Sequence, residues 1–534
     1  MTQRTVLTAV FLFIIGIGVF PIVTMFVASF VTNGSLSLQS YQGLLSSSRE
    51  WVLLAHSFAL AFLVSVSTTV VGVPLGILFG RTDLPLRRFF TVAFTIPLLI
   101  PTYITAVGWA DFLGADGFLA NTGSAAVAQV AYNLLFNLPG CVFVLFSAFL
   151  PIVILLTITS LRSVNPRLEE AGKLVATWSG VLRRVTIPLI VPGISLGTIL
   201  VFLLTIGEFS VPNFLRYHVF TLESFVQFSA FYNFGTATAA VVPLTLLTFI
   251  ILLAEWMFLR ERFHQVQATS DKTGLPPMEL GKFKIWLFVL VALLCFTVMV
   301  LPLLVLIVRS FSVSVYAAAI AVAWDSLLRS LLYAVVGASL LAVIGFFMGY
   351  LIHQKAMPFW RTADTLTIFL FALPSTVIGL GLISMWNRPW TNFIYGTFAM
   401  IILGYLAKYT ALTSRITATT LTLIPNSMEE AGQVAGLPWT RRIGSIVMPM
   451  AWKGILVSWL VAYIFCLRDL EITMIVYPPG YETLPVRITT LMANSPAELI
   501  AALCVLMVCA TVLPAVVLWM FFTFNTRARN RETR

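Results

Sequence analysis

Mostly apolar stretches alternate with short polar breaks along the whole chain. They fall at 6–30, 56–80, 89–112, 139–161, 187–211, 237–259, 285–308, 330–352, 362–386, 394–419, 447–470 and 499–524. Each can cross the roughly 30 Å hydrocarbon layer as a helix, which takes about 20 residues. The pattern therefore predicts an all-α polytopic membrane protein of about 12 spans. The first run, Val6 to Phe30, exceeds the apolar core of a signal peptide and is expected to remain as a span. Residues 261–284 contain Pro276-Pro277 and lose the apolar pattern, so they read as a cytoplasmic linker between 1–260 and 285–534.

The two halves repeat. HSFALAFLVSVSTTVVGVPLG (56–76) aligns with RSLLYAVVGASLLAVIGFFMG (329–349), and Ser57/Ser330, Gly72/Gly345, Gly76/Gly349 and Pro101/Pro374 are all 273 residues apart. Six spans per half is an even number, so the halves are expected to be parallel repeats. By Glu169 and Glu429 the offset is 260, which predicts 13 extra residues in the first half, placed in the outer segment 114–129. Glycines and prolines inside the spans are read as close-packing and kinking positions.

LEEAGKLVATWSGVLRRVTIP (168–188) and MEEAGQVAGLPWTRRIGSIVMP (428–449) each predict a short helix, a turn and a second short helix. Asn165 before Pro166 suits a helix N-cap, and Ser427 with Glu430 suits a capping box. The pairs Glu169/Glu170 and Glu429/Glu430 sit in first turns, where the helix dipole favours negative charge. Leu168, Ala171 and Val175 form an apolar stripe, matched by Met428, Ala431 and Ala435. The second copy resembles the EAA loop of the membrane subunits of binding-protein-dependent ABC importers. Glu430-Ala431-Gly432, Gly436, Ile446, Met448 and Pro449 stand where that family has Glu-Ala-Ala, a turn glycine and Ile-x-Leu-Pro. The first copy departs, with Val175-Ala176 at the turn and Pro188 one residue early. The resemblance implies a type I importer permease fold, with Glu169, Glu170, Ala171, Gly172, Glu429, Glu430, Ala431, Gly432 and Gly436 gripping two cytoplasmic ATPase subunits. It also implies an extracytoplasmic substrate-binding protein as partner.

Composition agrees: 59% hydrophobic, 10% charged, and a mean hydropathy of +0.97. The net charge of +11 is dispersed over loops, which points away from nucleic acid and instead orients the chain. Arginines and lysines crowd 81–88, 162–184, 260–284, 355–361, 441–442 and 527–534, so both termini and both EEAG loops are expected in the cytoplasm of a bacterial inner-membrane protein surrounded by lipid. There is no GxxxxGK[ST]: Gly172-Lys173 precedes Leu174 and Gly281-Lys282 precedes Phe283. The histidines (His56, His218, His264, His353) are scattered and the five cysteines lie in apolar runs, so neither catalysis, a cofactor nor a resident metal is implied. ATP hydrolysis is expected from partner subunits.

Charges inside spans are functional candidates. Glu208 lies 20 residues after Pro188, and Asp469 lies 20 after Pro449, with Glu471 nearby. These three are candidates for the translocation path, against the alternative of salt bridges to Arg216 or Arg468. Lys408 and Arg415 are expected to snorkel to the inner interface. The segments 207–217, 227–240 and 466–488 resemble fused ferric-iron permeases of the same family. Thiamine, phosphonate and other small-solute permeases share this layout, and an ion-coupled secondary transporter is the rival from another class.

Overall fold

The structure is a computed structural model in which residues 2–32, 35–230, 234–263 and 278–532 are described. Most of the linker, 264–277 with His264, Lys272 and Pro276-Pro277, lies outside the described residues.

Among the described residues, nine helices are long and apolar enough to cross a membrane, or up to 12 with three sharply bent pairs counted as single spans. The protein is all-α and polytopic; a hairpin pairing Val31 with Leu36 and Thr32 with Ser35 interrupts the helices. Helices Ser48–Arg81 (span two) and Val313–Gln354 (span eight) begin well before their apolar cores. Along span two, Phe58, Phe62, Val66 and Val70 recur every fourth residue and are exposed, while Ser57, Leu60, Ala61, Val64, Ser65 and Thr68 are buried. An apolar outer stripe of this kind suits a helix facing lipid.

Span three is not straight. Arg87–Leu99 and Thr102–Thr122 meet at 98°, and the equivalent pair Trp360–Ala372 and Ser375–Trp386 meets at 103°. Pro101 and Pro374 cause both breaks. A proline drives the preceding residue out of helical space and removes an N–H; Ile100 and Leu373 are accordingly extended, with ψ of 135° and 142°. A third bend, of 76°, separates Pro389–Tyr395 from Ala399–Leu421.

Prolines also explain four π-helical turns, at Ile15–Val19, Leu182–Thr186, Phe296–Val300 and Ile443–Val447. Each is followed at the same spacing by Pro21, Pro188, Pro302 or Pro449. The wider turn accommodates a ring that would clash with the carbonyl four residues earlier. The second short helix of each EEAG loop thereby continues unbroken into a span, as Trp178–Gly207 and Trp439–Arg468.

The chain forms two compact units, one of 1–46, 224–242 and 313–534, the other of 47–223 and 243–312. The first span of each repeat therefore packs with the later spans of the other repeat. Two glycines 273 residues apart permit it. A Cβ on Gly108 would lie 2.6 Å from the Pro302 carbonyl, and one on Gly381 would lie 3.2 Å from backbone of Pro21 and Ile22. Between Leu113 and Leu138 the first repeat carries helices Phe118–Thr122 and Ala125–Leu135. The second makes the equivalent connection with the shorter Pro389–Thr391 and Asn392–Tyr395, so the extra residues lie there, running a little past 129.

Candidate functional site

In the first EEAG loop, helix Pro166–Lys173 is capped as predicted, the Asn165 side chain accepting the Arg167 N–H at 3.0 Å. Glu169 points inward and is 1% exposed. It accepts from Thr186 Oγ1 at 2.8 Å and pairs with Arg81 at 3.1 Å. Arg81 ends span two and also donates to the Leu161 carbonyl at 2.9 Å. Glu170 and Ala171 are exposed, Gly172 is half-buried, and the Lys173 ammonium lies 3.9 Å from the centre of the Trp178 ring.

The second loop is built alike with different contacts. Glu429 accepts from Tyr350 OH at 2.7 Å and Gln354 Nε2 at 3.4 Å, and Arg442 Nε is 3.7 Å away. Glu430 and Ala431 are exposed and Gly432 is buried. The predicted capping box does not form. Helix Asn426–Val434 starts after Pro425, so Ser427 already lies within the first turn and no side chain caps the end. Gly436 (φ 76°) closes the helix: Leu437 N–H donates to the Gly432 carbonyl and Gly436 N–H to Gln433, both at 3.0 Å. That bonding pair requires a left-handed residue. The first loop, lacking the glycine, turns in right-handed space through Leu174 N–H to Ala171 (3.3 Å) and Ala176 N–H to Gly172 (2.9 Å).

The stripes named from sequence face outward: Leu168 and Met428 are about half exposed, and Val175 is 88% exposed. Each loop thus presents an apolar surface beside one outward glutamate, while the preceding glutamate anchors it to its own unit. Sequence reasoning missed that anchor, although Arg81 and Gln354 stand at the 273-residue offset.

At the far ends of spans five and eleven, Glu208 and Asp469 are both buried. Glu208 Oε1 accepts from Ser210 N–H (2.9 Å), the Ser210 hydroxyl and Val211 N–H (3.3 Å), while Thr102 Oγ1 donates to Oε2 at 3.2 Å. Asp469 accepts Thr473 N–H and Oγ1, both at 3.0 Å, and Tyr409 OH at 2.6 Å. Each carboxylate thereby caps the short helix that follows it, Ser210–Phe214 or Glu471–Val476. The shared position has a structural cause as well as a candidate functional one. Thr102 and Ser375 are the first residues beyond the breaks at Pro101 and Pro374, and Ser375 Oγ donates to Glu471 at 2.6 Å.

Among the described residues Glu208 forms no ion pair; the Arg216 guanidinium lies over the Phe136 ring, and that of Arg468 over Phe465 at 4.4 Å. One expectation fails here. Lys408 does not snorkel. It is 9% exposed and donates to the Ser375 hydroxyl and, at 3.4 Å, to the Leu373 carbonyl that the proline break leaves open. Arg415, half exposed, pairs with Asp364 at 2.9 Å. Among the described residues the second repeat therefore holds a buried lysine beside its carboxylates, and the first does not.

Among the described residues no three His, Cys, Asp or Glu side chains converge as a metal site. No protein-family profile matches the chain. The chain is similar to a Haemophilus influenzae permease to which ferric transport is ascribed, 22% identical over 468 residues, 84% of this chain and 73% of that protein. It is similar to the ferric transport system permease protein of Actinobacillus pleuropneumoniae, 21% identical over 86% of this chain and 69% of that one. It is also similar to the spermidine/putrescine transport system permease protein of Salmonella typhimurium, 28% identical over 46% of this chain and 86% of that protein. These relatives are transport permeases and not enzymes.

Proposed function

We propose that this chain, a two-repeat permease of the ABC importer kind, forms the complete translocation path of an ATP-driven importer whose cargo is ferric iron. The reading is carried by the duplicated EEAG loop, which offers an outward glutamate and an uncovered apolar stripe on both repeats. A permease pair on separate chains needs one such loop each; a fused chain serves two ATPase subunits with two. Residues 1–260 and 285–534 act as the two permease repeats, joined by the cytoplasmic linker 261–284. Both termini face the cytoplasm of a bacterial inner membrane, and a binding protein delivers cargo on the other side.

Glu208, Asp469 and Glu471 supply carboxylate oxygens of the kind a hard trivalent cation prefers. Glu208 and Asp469 each cap a short helix and Glu471 accepts from the Ser375 hydroxyl, so among the described residues they form no chelating cluster, which suits passage better than storage. Residues Glu170 and Glu430 are the ATPase contacts, with Ala171, Gly172, Ala431, Gly432 and Gly436 shaping their helices. Alternating access is driven by ATPase closure acting on these loops. No ATP-binding or catalytic motif belongs to the chain itself, so hydrolysis falls to the partner.

The test is uptake of radiolabelled ferric iron by proteoliposomes holding this chain with the ATPase and binding protein encoded beside it. Uptake should require ATP inside and survive a protonophore. Uptake that follows a proton gradient without ATP would establish the secondary-transporter reading instead. ATP-dependent uptake of a phosphonate, thiamine or a polyamine in place of iron would keep the importer and change its cargo.

A further inference from the structure

Span two and span eight are each tied at both ends, by an ion pair or by hydrogen bonds, to the loops that matter within their own unit. At the inner end of span two, Arg81 meets Glu169 of the EEAG loop at 3.1 Å. At its outer end, Ser57 Oγ accepts the Phe220 N–H at 2.8 Å in a buried contact. In the other repeat, Tyr350 and Gln354 hold Glu429 at 2.7 and 3.4 Å, and Ser330 Oγ accepts the Leu484 N–H at 2.6 Å. The two serines are repeat equivalents, as are Arg81 and Gln354. Each serine lies 24 residues before its inner partner, about 36 Å of helix, which is close to the thickness of the hydrocarbon layer.

Phe220 and Leu484 are the first residues of helices Phe220–Ser229 and Leu484–Leu491. A first-turn N–H has no partner within its own helix, and here span two or span eight supplies one. Both helices follow the segments that carry the outer carboxylates, and Thr221 Oγ1 donates to the Glu208 carbonyl at 3.4 Å. The same arrangement in two repeats of different sequence makes an accidental contact a poor explanation. The direct route through span five differs: it passes a π-turn at 182–186 and ends at the break at Glu208. Span two runs as one helix from 48 to 81, through Pro74.

We propose that spans two and eight are rigid links that carry displacement of the EEAG loops to the outer carboxylate segments, with Ser57 and Ser330 as the outer positioning residues. The proposal rests on the importer reading. A continuous helix shifts as a body, so moving its inner end moves whatever its outer end is bonded to. Removing the serine hydroxyls frees the outer helices while leaving the ATPase contacts in place.

The experiment compares the native complex with S57A/S330A and S57T/S330T, each reconstituted with the ATPase and binding protein encoded beside the chain. The alanine pair should retain co-purifying ATPase and basal hydrolysis but lose stimulation by binding protein by about fivefold or more, the lower end of ordinary coupling between sites. The threonine pair keeps the hydroxyl and should restore it. The single variants S57A and S330A, each with one link intact, should fall between, and they decide the matter if the double variant does not accumulate. Native stimulation in the alanine pair, or in both single variants, overturns the link. A native complex that fails to bind or be stimulated overturns the importer reading itself.

Discussion

Glu169 Oε2 lies 3.1 Å from Arg81 Nη2, although the residues are 88 positions apart, and the glutamate is 1% exposed. The first of the two loop glutamates is therefore an internal anchor and the second, Glu170, is the outward one. Breaking a buried ion pair by removing one partner leaves an uncompensated charge and costs about 3–5 kcal/mol. Glu169→Ala should accordingly lower the melting temperature in detergent and the amount of protein in the membrane. Glu170→Ala should leave both near native and weaken ATPase co-purification. Equal melting temperatures for the two variants would refute this division of roles.

Gly436 separates the two loops in a second way. No atom lies within 4 Å of a Cβ placed there, so an alanine meets only the cost of a left-handed backbone at φ 76°. That cost is about 1–2 kcal/mol. Gly436→Ala should destabilise the second loop by this amount in thermal unfolding, and Gly436→Asn by less. Val175→Gly in the first loop should bring no gain, because that turn uses no left-handed residue.

Much of this architecture was readable from the residues. The apolar period marks 12 stretches, nine of which are single spanning helices among the described residues and three of which are sharply bent pairs, and the repeat offsets pair Ser57 with Ser330 and Pro101 with Pro374. The breaks at Pro101 and Pro374 were not anticipated, because a proline inside a membrane helix can kink it or end it, and local sequence does not say which. Here the freed Leu373 carbonyl finds Lys408, a partner 35 residues along the chain. The same non-local bond explains the wrong placement of Lys408: it lies mid-way along helix Ala399–Leu421, where a buried hydroxyl and carbonyl satisfy its ammonium without a reach to the interface. The capping box failed for a local reason, since Pro425 starts the helix before Ser427 can cap it.

Just beyond the Arg81 end of span two, Asp83 accepts from Lys284 Nζ at 2.8 Å and from the Leu280 N–H at 3.0 Å. The Lys284 hydrogen bond, then that of Leu280, holds the Asp83 carboxyl below its ordinary value. A carboxyl whose folded pKa is lowered stabilises the fold at pH above its unfolded value, near 3.9, and loses that contribution as pH falls through the lower folded value. The segment 278–284 should therefore stay docked at neutral pH and loosen only in acid. Pulsed amide exchange should show 278–284 opening below about pH 4 in the native chain. Asp83→Asn should open it already at pH 7. Identical exchange in the two proteins at pH 7 would remove the clamp.

Glu208 offers the sharpest test of the path because its cap and its charge can be separated. A glutamine keeps a carbonyl oxygen where Oε1 accepts the Ser210 and Val211 N–H groups, but it removes the negative charge. Glu208→Gln should therefore fold and assemble like the native protein, whereas Glu208→Ala loses the cap at about 1 kcal/mol. If the charge serves a cationic cargo, Glu208→Gln should still lower uptake by roughly tenfold, which corresponds to about 1.4 kcal/mol. The second repeat should respond less, because Lys408 and Glu471 share Ser375 as a hydrogen-bond partner, so a cation already stands beside the carboxylates. Glu471→Gln alone is expected to change uptake by less than Glu208→Gln, and the Glu208→Gln/Asp469→Asn pair by more than either. Initial rates of cation uptake at matched protein and ATPase levels decide the order. Native uptake by Glu208→Gln would reduce the carboxylate to a helix cap and leave the path to be sought elsewhere.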